Sequence, residues 1–155
     1  MDLKRLMVTI LVILVAATIT GFLIHGLILA RDYKLLVEQK VYSSAEQFQS
    51  RAVFLLVANL AYALGTIWMY ARGVDAKPWA AQGLRFGLAV WLVLSVPSFV
   101  IAYTVQPIPG SMVVKQLFWE LLNKLFLGLL TAGLYRQASL DMENRILAER
   151  AAFPR

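Results

Sequence analysis

The sequence predicts an all-α membrane protein, an antiparallel four-helix transmembrane bundle, and three observations predict it. The chain of 155 residues is 60% hydrophobic and only 15% charged, which is more apolar surface than one water-soluble domain of this length can hide. Its apolar residues are bunched into four long runs instead of being scattered with a helix or strand period. Lysines and arginines flank those runs, as they do where membrane proteins fix their orientation. The first partner is therefore a lipid bilayer. The balance of 15 basic to 9 acidic residues, +6 overall, reads as topology and not as nucleic-acid binding. Cysteine is absent, which excludes disulfides, thiolate nucleophiles, thiolate metal sites and cysteine-linked lipid anchors.

The first run, residues 6–30, follows Lys4 and Arg5. At ~1.5 Å rise per residue it is long enough for a hydrocarbon core of ~30 Å. Val15-Ala16-Ala17 has the look of a signal-peptide cleavage site, but the apolar run continues to Ala30. Secretory cores usually end after ~7–15 residues, so a retained span is expected. Residues 31–51 form the one sizeable connection; Tyr33, Leu36, Val37 and Val41 fall near one helical face, which suits a segment lying along the membrane surface. Either Ser43 with Glu46 or Ser44 with Gln47 offers a capping box for the next helix.

The second span, 52–71, places Trp68 and Tyr70 at a headgroup boundary and closes on Arg72-Gly73. Lys77-Pro78-Trp79 restarts the helix, because proline is best tolerated in a first turn where its missing N–H has no partner anyway. The third span, 84–105, contains Pro97, which predicts a kink with Ser95 and Ser98 available to bond the freed carbonyls. A tight, uncharged turn over 106–110 leads to Ser111 as expected N-cap and to the fourth span, 112–135. Residues 1–135 thus make a transmembrane domain and 136–155 a charged tail. Asp141, Arg145 and Glu149 at successive i,i+4 positions support a helix there.

Orientation follows from the basic residues. With the N-terminus cytoplasmic, that side holds Lys4, Arg5, Arg72, Lys77, Arg85, Arg136, Arg145, Arg150 and Arg155, against Arg31, Lys34, Lys40 and Arg51 opposite. Both termini are expected inside.

Burying ionisable groups in hydrocarbon is costly, so strongly polar side chains within the spans are the candidates for a site. They are His25, Asn59, Glu120, Asn123 and Lys124. With Ser98 and Tyr103 of the third span they are expected at one level, in the outer half of the bundle. Small residues share the helical faces that carry them: Ala17 and Gly21 before His25, Gly128 and Ala132 after Gln116, Glu120 and Lys124. Gly83 with Gly87 and Ala61 with Gly65 form similar pairs, and small faces mark helix packing in membranes. Glu120 four residues before Lys124 is oriented for an internal ion pair, the preferred reading over a relay role. His25 is expected to hydrogen-bond Glu120 or Asn59, with a proton-linked switch as the alternative. One histidine and one intramembrane carboxylate are too few ligands for a metal, and neither metal nor cofactor is expected.

Three stretches carry a resemblance: Gly21-Phe22-Leu23-Ile24-His25-Gly26 with Asp32-Tyr33, Gly83-Leu84-Arg85-Phe86-Gly87, and Gln106-Pro107-Ile108-Pro109-Gly110 with Lys115-Gln116. They resemble segments of small four-helix bacterial membrane proteins. The resemblance spans most of the chain and implies a bacterial plasma membrane, but no activity. The expected role is a non-enzymatic interaction or accessory subunit that self-associates or joins a larger membrane complex. The alternatives are a small proton-linked transporter or channel built on the polar cluster, and a lipid- or quinone-binding membrane enzyme.

Overall fold

A computed structural model describes the backbone of residues 3–73 and 78–152 and the side chains of 6–73 and 78–135. The chain runs α1 (Leu3–Gly21), π1 (Phe22–Ile28), α2 (Ala30–Glu38), α3 (Ala45–Arg51), α4 (Val53–Arg72), α5 (Trp79–Val90), π2 (Trp91–Ser95), α6 (Val96–Val105) and α7 (Gly110–Ala152), π1 and π2 being π-helical turns. Among the described residues four stretches are long and apolar enough to cross a membrane: Leu6–Ile28, Val53–Arg72, Trp79–Val105 and Gly110–Tyr135. The third begins earlier than predicted, because Pro78 caps α5 and accepts from the Gln82 amide. α7 starts at Gly110, which places Ser111 in its first turn and not at the cap. The orientation and tail expectations that rest on Lys4, Arg5, Lys77, Arg136, Asp141, Arg145, Glu149, Arg150 and Arg155 lie outside the described side chains, although the backbone of α7 stays helical to Ala152.

The fourth span is the spine of the molecule and contacts each of the other three, while α1 also packs along α4. Its crossing with α5 is very close. A Cβ on Gly83 would sit 2.8 Å from the Gly128 carbonyl oxygen and 2.9 Å from the Ala132 Cβ. A Cβ on Gly87 would run into the Lys124 carbonyl, and one on Gly128 into the Gly83 carbonyl. Backbone meets backbone there, as expected where small residues let helices approach in lipid. Ala17 and Ala132 are buried too. The expectation fails for Gly21 and Gly65, where a Cβ would meet nothing within 4 Å, and for Ala61, which is exposed. The α1–α4 contact is filled instead by Ile13, Ala63 and Ile67, with Ile10, Leu14 and Tyr62 packed against them.

Between the first two spans the chain forms a strap. Leu29 and Leu36 of the strap bury against Ile108, Met112 and Val113 at the turn between the third and fourth spans, with Tyr33, Val41 and Tyr42 partly covering the same cluster. The strap helix α2 ends in a Schellman turn: the Lys40 amide donates to Val37 and the Val41 amide to Leu36, with Lys40 itself at φ 58°. Ser44 then caps α3, its hydroxyl accepting from the Gln47 amide while the Gln47 side chain accepts from the Ser44 amide, so of the two capping boxes the second forms.

The two π-turns shift which residues face inward. Along α5 the buried positions Gly83, Gly87 and Val90 keep an α-helical period, which extrapolates to Leu94. Leu94 is instead 44% exposed and Ser95 only 5%. In the first span the buried Ile24 extrapolates to Ile28, yet Ile28 is 47% exposed and Leu29 is 1%. One extra residue per turn is what a π-turn inserts.

Candidate functional site

The carboxylate of Glu120, buried on the fourth span, collects a donor from each side. His25 Nε2 lies 3.1 Å from Oε1 and Lys124 Nζ 2.7 Å from Oε2. The Ser95 hydroxyl reaches Oε2 and the Asn123 amide reaches Oε1, both at 3.5 Å, the outer limit of hydrogen-bonding distance. Each oxygen therefore takes two donors, the capacity of a carboxylate. An ionised carboxylate can only accept, so the ring proton facing it sits on Nε2 of His25. In the neutral imidazole Nδ1 then accepts from the Tyr33 hydroxyl at 2.8 Å, and the Tyr33 oxygen in turn accepts from Gln116 Nε2 at 2.8 Å. The result is one directed chain, from Gln116 through Tyr33 and His25 to Glu120.

Helical geometry explains how these groups meet. Gln116, Glu120 and Lys124 recur every four residues on one face of α7, and Asn123 lies beside them. π1 carries His25, and the strap folds Tyr33 back over it. π2 brings in Ser95 at one end, while at its other end the Trp91 indole donates to the Leu117 carbonyl at 3.0 Å. Lys124 rests on the second span as well, its ammonium 4.9 Å from the centroid of the Tyr62 ring, a cation–π contact. Burial pushes the Tyr33 hydroxyl up to about 12, against the Gln116 hydrogen bond, which favours ionisation; nearby Tyr42 and Glu120 raise it further.

Of the candidates read from sequence, His25, Glu120, Asn123 and Lys124 come together. Glu120 thus pairs with Lys124 and His25 at once. Asn59 does not join them; its amide donates to the Thr18 hydroxyl at 3.2 Å, tying the second span to the first. Ser98 is exposed and donates to its own helix at the Leu94 carbonyl, 2.6 Å away, and not to the Val93 carbonyl four residues before Pro97. Ser95 turns to Glu120 instead of a carbonyl. Tyr103 is exposed on α6 and stays apart. The residues missed as site members are Tyr33, Ser95 and Gln116. For Tyr33 and Gln116 the signals were present, since Gln116 sits one turn before Glu120 and Tyr33 lies on the apolar face of the strap.

One atom has no partner. The side-chain oxygen of Asn123 is buried without a hydrogen bond among the described residues. Such an acceptor costs about 1–3 kcal/mol. Among the described residues no three histidine, aspartate or glutamate side chains gather as a metal site requires. No protein-family model matches the chain, and no curated protein or solved structure matches it either.

Proposed function

We propose that this chain is a non-enzymatic subunit of a bacterial plasma membrane, an antiparallel bundle with both termini cytoplasmic, that works by contact with a neighbouring membrane chain. The observation carrying this reading is the saturation of Glu120. With two donors on each oxygen, the ionisable cluster is spent on joining the first, third and fourth spans, which suits packing glue better than turnover. A second feature agrees with it. The residues 53–58 that open α4 are all exposed, so every side of this turn and a half of helix presents surface to a neighbour. Crosslinking in native membranes followed by native mass spectrometry tests the proposal: a complex, either of identical copies or with another subunit, is expected. Monomer alone would refute it.

A proton-linked role is favoured by one specific observation, the unbroken hydrogen-bonded run from Tyr33 through His25 to Glu120, in which the His25 side chain is 33% exposed. In this reading Glu120 and His25 exchange protons and Lys124 sets the field. Vesicles reconstituted with wild type or Glu120→Gln would then differ in pH-dependent flux, and identical leak removes the option.

A further inference from the structure

We infer that the charge on Glu120 holds the π2 turn open, and that losing this charge lets π2 close into α-helix, turning α6 and presenting Leu94 to the fourth span in place of Ser95. The inference stands apart from the proposed role, because it concerns two arrangements of one span and not what the span contacts.

The argument starts from the rarity of π-turns. They appear mostly as single insertions at functional places, where the less favourable i→i+5 bonding is offset by something else. Pro97 has no N–H for the Val93 carbonyl whichever way π2 turns, so the offset that can change lies in the pins at its two ends. The near end of π2 is pinned by Trp91, whose indole bonds the Leu117 carbonyl; this contact precedes the extra residue and is indifferent to it. The far end is pinned by Ser95 on Glu120. At 3.5 Å this contact is long and owes its attraction mainly to the charge on the acceptor, so a neutral residue 120 loosens the far pin specifically. Within α6 little else resists: no residue of Val96–Val105 is buried, Phe99 and Ala102 rest only partly on the strap-side cluster, and the buried Ile108 of that cluster lies past the extended backbone of Gln106, where a turn of α6 can be taken up.

The alternative state is equally well defined. Closing one inserted residue rotates α6 by about 100°. The inward position after Val90 then passes from Ser95 to Leu94, exchanging a hydroxyl for an apolar side chain beside a group that no longer carries charge. π1 does not follow, since Leu29 and Leu36 beyond it are anchored in the core. The groups facing Glu120 that set its charge are His25 from the first span, with Tyr33 of the strap behind it, and Lys124 on its own helix, backed by Tyr62 of the second span. The third span offers only the Ser95 hydroxyl. Displacement of Lys124 or uptake of a proton would thereby be read out as rotation of α6.

The absence of cysteine makes the test clean. Cysteines introduced singly at 98, 99, 101 and 102 carry nitroxides, and collision with oxygen in phosphatidylcholine vesicles reports which positions face lipid. In wild type the half-buried Phe99 and Ala102 are the protected positions, and Ser98 and Ile101 the accessible ones. With Glu120→Gln the order inverts, protection moving to 98 and 101. Unchanged protection at 99 and 102 in the folded variant overturns the inference. If Glu120→Gln does not fold, Ser95→Ala, which removes only the far pin, is expected to move protection the same way, and a fixed pattern overturns the inference there too. Deleting Leu94 supplies the control. It leaves no inserted residue to close and Ser95 already inward, so the pattern stays at 99 and 102 whether residue 120 is charged or neutral; movement in that background also overturns the inference.

Discussion

Replacing Gly87 by alanine tests the tightest contact in the molecule. The new Cβ would overlap the Lys124 carbonyl oxygen and stand 2.9 Å from both the Lys124 carbonyl carbon and the Leu125 Cα. Carbon atoms settle at about 3.5–4.0 Å, so α5 and α7 must part by roughly 0.6–1 Å. No side-chain rotation relieves this, because the obstacle is backbone. Gly83 and Gly128 belong to the same crossing, so separation at Gly87 loosens them as well. Overpacking of this kind costs about 1–3 kcal/mol, and the upper half of that range is expected here. Gly21→Ala and Gly65→Ala provide the contrast: a Cβ there meets nothing within 4 Å, so the change should be neutral or stabilising by up to about 1 kcal/mol. Dodecyl sulfate titration in mixed micelles, followed by tryptophan fluorescence, reads all three variants. If Gly87→Ala stays within about 0.5 kcal/mol of wild type, or Gly65→Ala loses as much as Gly87→Ala, the packing argument is wrong.

Removing one partner of the buried pair, as in Lys124→Met, should cost about 3–5 kcal/mol, whereas Glu120→Leu combined with Lys124→Met should recover most of that loss in the same titration. Tyr33→Phe breaks the chain between Gln116 and His25 and should speed amide hydrogen exchange across residues 30–38 while leaving α4 unchanged. The same residue predicts an alkaline limit. Its hydroxyl is held neutral up to about 12 when buried, above the ordinary phenol value, so docking of the strap is at full strength below about pH 10 and is lost as pH rises through 12; phenolate absorbance of wild type against Tyr33→Phe follows it. Lys40→Gly should steady the strap by about 1 kcal/mol, since φ 58° suits glycine better than lysine, and thermal unfolding with unchanged or lowered stability would contradict this.

The spans were legible because hydrocarbon thickness is a length that residues 6–30, 52–71 and 112–135 visibly match, and the ends observed fall within two residues of those bounds. Much of the polar cluster was legible for a related reason, since Glu120 and Lys124 are conspicuous in an apolar run and i,i+4 spacing puts them on one face. The π-turns were not. An extrapolated α-period assigns Leu94 and Ile28 to the interior, and only long-range partners reveal that Ser95 and Leu29 replace them. Ser98 and Tyr103 were placed by depth alone, which says nothing of azimuth. Gly21 and Gly65 show the complementary limit: spacing can announce a smooth helix face but not whether a neighbour lies against it.

His25 and Glu120 are separated by 95 residues of sequence, and the helix that supplies the acceptor is the last of the four to emerge during synthesis. Until it arrives, the first span sits in lipid with an imidazole whose eventual acceptor has not been made. A nascent chain stalled before Gly110 therefore carries His25 without the carboxylate that latches it in the finished protein.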